Sequence, residues 1–146
     1  MTTAEPTPIR SSRVEAPPRR SALNIVLWIV QVLLALLFIW AGGMKLVLPL
    51  EKLAGPVALP GALVRFIGVA ELLGGLGLIL PSLLRIRPGL TPLAAAGLVI
   101  IMIGAVSITL IGGVGIGLAV IPAVTGLLAA FVAYGRWRLA PIHSKA

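Results

Sequence analysis

The 146-residue sequence has no cysteine, a single histidine (His143) and only 4 Asp and Glu residues. Without a thiol, the chain can form no disulfide framework, ligate no iron–sulfur cluster and run no thiol redox step of its own. One histidine speaks against bis-histidine haem ligation and against a multi-histidine metal site within one chain, so no metal centre is expected. Charge is also scarce, at 11% of residues against roughly 25% in average soluble proteins. What fills the chain is apolar. A, V, I, L, M, F, W, Y and C make up 59% of it, 17 glycines come in addition, and mean hydropathy is +1.12. Water would not solvate such a surface, so the composition places the chain in a lipid bilayer. The net charge of +8 would suggest nucleic acid for a soluble protein. Here the basic residues lie between apolar runs, where they act as topology signals and contacts to anionic lipid, and no nucleic-acid partner is expected.

Residues 1–22 hold Pro6, Pro8, Pro17 and Pro18 beside Arg10, Arg13, Arg19 and Arg20, with almost nothing apolar to bury. A disordered tail is expected there. The Arg19-Arg20 pair superficially resembles a twin-arginine export signal. The apolar run behind it is too long for a signal-peptide core and shows no cleavage site, which favours an uncleaved first span. From Leu23 to Leu48 the only charge is Lys45, and this stretch exceeds the ~20 residues that cross a bilayer core. Pro49, Gly55, Pro56, Pro60 and Gly61 then break the helix. The second span, about 62–84, carries Arg65 and Glu71 and ends at Arg85, Arg87, Pro88 and Gly89. No charge lies between Arg87 and Arg136. That is about twice what one helix needs, so the chain must turn once within it. Gly112-Gly113-Val114-Gly115-Ile116-Gly117 is the natural turning point, giving spans of about 90–111 and 114–134. Thr91 and Pro92 suit a helix start, and Pro122 should kink the fourth span or begin its regular part. The expected architecture is all-α: a four-transmembrane-helix bundle over 23–136, followed by a short tail over 137–146.

Basic residues divide unequally between the two sides of this arrangement. Arg10, Arg13, Arg19, Arg20, Arg85, Arg87, Arg136, Arg138 and Lys145 share one side, and Lys45, Lys52 and Arg65 lie toward the other. The positive-inside rule predicts that both termini face the cytoplasm, with Trp28, Tyr134 and Trp137 in the aromatic belt. Arg136, Trp137 and Arg138 mark the cytoplasmic boundary in this reading, with lipid headgroups or a docking partner as their contacts. Helix spacing puts Asn24, Gln31, Ala35, Phe38, Gly42 and Lys45 on one stripe of the first span. Gly68, Glu71 and Gly75 share a stripe on the second. Gly97 and Gly104 on the third, and Gly126 on the fourth, are further candidate positions of close helix packing.

Three stretches carry a resemblance. A-G-G-M-K-L (Ala41 to Leu46), R-F-I-G-V-A-E-L-L-G-G-L-G-L-I-L-P (Arg65 to Pro81) and P-L-A-A-A-G-L-V-I-I-M-I-G-A-V (Pro92 to Val106), with P-A-V-T-G-L-L-A-A-F-V-A-Y-G-R (Pro122 to Arg136) closing the pattern, resemble the DoxX and DoxX-like family of small bacterial membrane proteins. The resemblance runs from about Leu23 to Arg136. It implies a four-helix bundle in the inner membrane of a bacterium. For the family's namesake it implies a place as the small membrane subunit of a thiosulfate:quinone oxidoreductase, and for other members a role as membrane partners of soluble redox or sulfur-handling proteins. Many DoxX-like sequences carry a histidine near the position of Thr109, and this chain does not.

An ionisable residue at membrane depth costs about 2.5–3.5 kcal/mol on insertion scales and is a functional candidate by default. Glu71 is that residue. It lies about 13–14 Å into its helix, near the middle of a ~30 Å core. Lys45, on the inner stripe of the first span, is the better partner for it; Arg65 is rotated away by about 120°. One reading makes Glu71 a proton-accepting or ligand-binding group, with Lys45 and Arg65 polarising a bound quinone or anion. The other makes it a structural carboxylate, with Lys45 and Arg65 as snorkelling anchors. The expected function is a non-autonomous membrane subunit or anchor of a quinone-linked redox complex, without catalysis of its own. Its expected partners are the lipid bilayer, a soluble redox protein and further copies of itself, with quinone as a non-covalent cofactor. A small proton-coupled transporter or exporter, and a membrane scaffold or assembly factor without a small ligand, are the alternatives.

Overall fold

A long apolar run in lipid must satisfy every backbone N–H and C=O within itself, and the α-helix is the single-segment way to do so. The computed structural model describes residues 19–55 and 57–143. Helices α1 (Arg19–Val47), α2 (Gly61–Leu84), α3 (Leu90–Ile111) and α4 (Ile116–Tyr134) account for most of them. All four are long and apolar enough to cross a membrane. Large apolar side chains point outward from each, as at Leu33, Trp40, Phe66, Ile100 and Leu127. A helix that is apolar all round belongs in the bilayer, and the chain is a multi-pass membrane protein.

α1 begins at Arg19, earlier than the expected tail boundary, because arginine is a good helix former and needs no burial. The rest of the expected 1–22 tail lies outside the described residues, as do residues 144–146. A short 3₁₀ turn, Leu50–Leu53, interrupts the path from α1 to α2. Between α2 and α3 the chain reverses through Arg85 and Arg87, both at positive φ (53° and 45°). Left-handed backbone is costly for residues with a Cβ, so this connection is tight rather than slack. The α3–α4 turn uses Gly113 and Gly115, at φ 68° and 97°, where the missing Cβ removes that cost. Pro122 lies inside α4, which already begins at Ile116, so it does not start the regular helix.

The fourth span does not stop at Tyr134. A π-helical turn over Gly135–Leu139 prolongs it, with the Ala140 N–H donating to the Gly135 carbonyl at 2.7 Å. The expected tail over 137–146 therefore starts inside helical structure.

α1 packs chiefly on α2 and α3 on α4, with α2 against α3 joining the halves. The core is small and apolar: Leu34, Ala35 and Phe38 of α1, Leu78 of α2, Ala95, Leu98 and Met102 of α3, and Ala129 and Val132 of α4. Missing side chains let the helices come this close. A Cβ on Gly42 would lie 2.6 Å from the Gly68 carbonyl oxygen and 2.7 Å from the Leu72 nitrogen. Cβ atoms on Gly68 and Gly75 would lie 2.8 Å from Lys45 Cβ and 3.0 Å from the Ala35 carbonyl oxygen, and one on Gly126 would lie 3.0 Å from Met102 Cβ. Gly97 and Gly104 differ. A Cβ on either meets nothing within 4 Å, so the close approach expected there does not form within this chain.

Hydrogen bonds from Arg136 to Asn24 and Gln31 bring the end of α4 to the start of α1. The bundle thus has a termini end, and a loop end where the α1–α2 and α3–α4 connections meet.

Candidate functional site

At the loop end, the last turn of α1 and the middle of α2 cross at Gly42 and Gly68. That close crossing brings Lys45 and Glu71 together: Lys45 Nζ donates to Glu71 Oε2 at 2.7 Å, the one ion pair among the described residues. The carboxylate side is 6% exposed and the ammonium side 30%. Glu71 sits on the buried stripe of α2, and four methylenes let the Lys45 head reach it from α1. Only one of the three Lys45 donors is engaged by Glu71.

Arg65 was a candidate for the same site, and the structure places it elsewhere. Its guanidinium donates to the Lys45 backbone carbonyl, and at 2.9 Å to the Leu48 carbonyl. These oxygens are among the four that a helix C-terminus leaves unpaired, so Arg65 caps α1 from the neighbouring helix. The rotation of six residues along α2 is what turns it from the Glu71 face toward the end of α1.

Beside the ion pair lies a cavity of about 460 Å³. Leu63, Ile67 and Glu71 of α2 form one wall, Ile101, Gly104, Ala105, Ile108 and Thr109 of α3 the opposite wall, and Gly55, Val57 and Leu59 of the connecting segment the cover. Gly104 has room for a Cβ because it faces this space. Lys45 also lines an adjoining cavity of about 300 Å³ beneath the 3₁₀ turn. Thr109, near whose position many DoxX-like sequences carry a histidine, lines the larger cavity. Its hydroxyl donates to the Ala105 carbonyl at 2.8 Å, which leaves its oxygen lone pairs toward other donors.

The termini end holds a second polar cluster, and here the sequence reading needs correction. Arg136 is not an exposed residue on the rim of the bundle: it is 3% exposed. Its Nε donates to Gln31 Oε1 at 2.9 Å, and its Nη1 to Asn24 Oδ1 at 2.6 Å and the Ala140 carbonyl at 3.4 Å. The guanidinium carbon lies 5.3 Å from the centroid of the Trp28 ring, a cation–π distance. Gln31 passes the network on, donating to the Leu78 carbonyl and at 2.9 Å to Ser82 Oγ, which shares a 2.7 Å hydrogen bond with Thr91 Oγ1. One chain of polar groups therefore ties together all four helices. Gly135 permits it: a Cβ there would lie 2.5 Å from Leu27 Cδ2, so the π-helical turn settles directly on α1. Trp137 and Arg138 remain exposed. The available signal was the Asn24–Gln31 pair, two amides one heptad apart on an otherwise apolar helix, which require partners.

A family model described as the DoxX-like family matches residues 29–132, which takes in α1 from about its fourth turn through nearly all of α4. No curated protein and no solved structure matches the chain. The match spans both motifs that form the ion pair, Lys45 and Glu71. This four-helix membrane protein belongs to the DoxX-like family.

Proposed function

We propose that this protein is a non-autonomous membrane subunit of a quinone-linked redox complex, holding a bilayer-soluble quinone beside Lys45 and Glu71 and anchoring a soluble redox partner at the membrane. The observation that carries the reading is an ion pair lining a largely apolar cavity of about 460 Å³. Ligand sites are typically clefts of ~300–1,000 Å³, mostly apolar, with a few convergent polar groups. A quinone ring needs that combination: apolar walls for the ring and tail, and a donor for each carbonyl oxygen. The spare Lys45 donors suit one carbonyl oxygen, and Glu71 is placed to hold or release a proton beside it. When bound, the quinone supplies the electron-carrying chemistry; the chain supplies position, a proton site and exclusion of water. With no cysteine in the sequence, electrons would come from a partner protein. The charge distribution supports a bacterial inner-membrane location with the termini in the cytoplasm, the side on which such a partner would dock.

The test is to purify the full chain in a gentle detergent and measure co-isolated quinone and proteins. Both should accompany the wild type, and a decyl-benzoquinone should bind saturably by native mass spectrometry. Glu71→Gln should weaken that binding at least about tenfold, as for one lost charge-assisted hydrogen bond. Absence of both quinone and partner from the wild type overturns the reading. A second reading, a scaffold without a small ligand, is favoured by the pairing of Glu71 with Lys45. It predicts that the Lys45→Met/Glu71→Leu protein, once folded, still assembles its partner.

A further inference from the structure

The termini end carries a buried cation with no group of opposite charge beside it among the described residues. Arg136 is 3% exposed, and each of its hydrogen-bond acceptors is neutral: an amide oxygen of Gln31, an amide oxygen of Asn24 and the Ala140 carbonyl. The described carboxylates, Glu51 and Glu71, both belong to the other half of the bundle. Its remaining nitrogen, Nη2, is the one buried side-chain polar atom without a hydrogen-bond partner among the described residues. A charge taken out of water is normally paired or coordinated, and an orphaned buried donor calls for an explanation.

The surroundings point to an anion. A cavity of about 340 Å³, lined in part by Arg136, Trp137, Pro88, Pro92 and Leu93, opens on one side. A larger one of about 620 Å³ includes Asn24, Trp28, Ser82, Arg85 and His143. Pro141 and Ile142 line both, so the segment after the π-helical turn lies between the two spaces, and the smaller is the one Arg136 lines. Arg85 is held in left-handed backbone at the rim of the larger cavity, and Arg87 adds positive charge at the same end. Arg is suited to phosphate because its planar fork presents paired donors, and no described acid competes for it.

We propose that Arg136 is the anchor of a binding site for a phosphate-class oxyanion at the termini end, in the cavity it lines with Pro88, Pro92, Leu93 and Trp137, with the unpartnered Nη2 as the donor that the anion would engage. The apolar side of the smaller cavity, Pro92, Leu93 and Trp137, suits the non-polar part of an amphiphile, so the phosphate can come from a phospholipid headgroup or from a soluble phosphate. This site is separate from the Lys45–Glu71 cavity and does not rest on the quinone reading.

The experiment uses the full chain purified in detergent, probed by native mass spectrometry and thermal shift with short-chain phosphatidylglycerol, short-chain phosphatidylcholine and inorganic phosphate. The wild type should bind at least one phosphate-bearing probe saturably, with a matching rise in Tm. Phosphatidylglycerol alone identifies the lipid as the source, and inorganic phosphate alone identifies a soluble anion. Arg136→Gln should abolish binding, while Arg138→Gln, at an exposed position, should retain it. Should R136Q fail to fold, Arg136→Lys decides: it keeps the charge without the fork, and at least about tenfold weaker binding is expected. No saturable binding by the wild type, or equal binding by a folded Arg136 variant, overturns the proposal.

Discussion

At the loop end Lys45 meets a carboxylate at 2.7 Å; at the termini end Arg136 meets neutral oxygens and the face of an indole. The difference follows from the side chains. An ammonium is a compact, strongly hydrated point charge, and Lys45, whose side chain stays 30% exposed, is balanced by a single partner. A guanidinium spreads its charge over a plane, is more weakly hydrated and can divide its donors among several dipoles. Burial at the loop end is thus balanced by opposite charge, and at the termini end by a polar network that reaches every helix. The consequence runs against first intuition: a neutral residue at the termini end should matter more to stability than an acid at the loop end.

The largest expected effect tests that directly. Gln31→Leu removes the residue that links Arg136 to Ser82 and the Leu78 carbonyl, orphaning several buried groups at once, one of them charged. A loss of about 3 kcal/mol is expected, read from denaturant titration of the helical signal in mixed micelles. The contrast between the two ends breaks if Glu71→Gln costs more than Gln31→Leu in the same assay.

Next in size is the loop-end pair. Lys45→Met leaves a buried Glu71 without its partner and should cost about 2 kcal/mol, whereas Glu71→Gln leaves a lysine that can turn toward water and should cost about 1 kcal/mol or less. The Lys45→Met/Glu71→Leu double variant should recover part of the larger loss, because neither charge then remains to be desolvated. A double variant that is simply the sum of the singles would show that the two groups are not coupled across 2.7 Å.

The glycines separate close contact from open space. Gly42→Ala forces a Cβ onto the backbone of α2 at the crossing that sets the ion pair, and should cost about 2 kcal/mol. Gly97→Ala meets open space and should change stability by less than about 0.5 kcal/mol. A smaller purified assembly in Gly97→Ala, at unchanged stability, would identify that face as the seat of a second copy.

Much of the fold was legible because lipid makes it so. Each apolar run long enough to cross a bilayer had to be a helix, and the glycines between Ile111 and Ile116 had to turn. The Lys45–Glu71 contact was legible too: both residues sit on inward stripes, and small residues beside them allow the helices to touch. Arg65 was not, since its targets are backbone carbonyls at the end of another helix and leave no mark in the side-chain pattern. Gly104 read as a packing position and instead faces a cavity, because a missing side chain looks the same whether a helix or a space lies opposite.

The sparse charge and absent cysteine of the chain determined by themselves the compartment, the number of helices and the chemistries the protein lacks, because these follow from solvation and from which atoms are present. Only the tertiary structure decided where the last cation goes. Hydropathy ends at Tyr134 and treats Arg136 as the edge of the membrane. The π-helical turn carries it instead under Trp28 and against Asn24 and Gln31, where it is buried by residues more than a hundred positions away. Burial of a single side chain depends on which surfaces meet, and that is a property of the packed bundle.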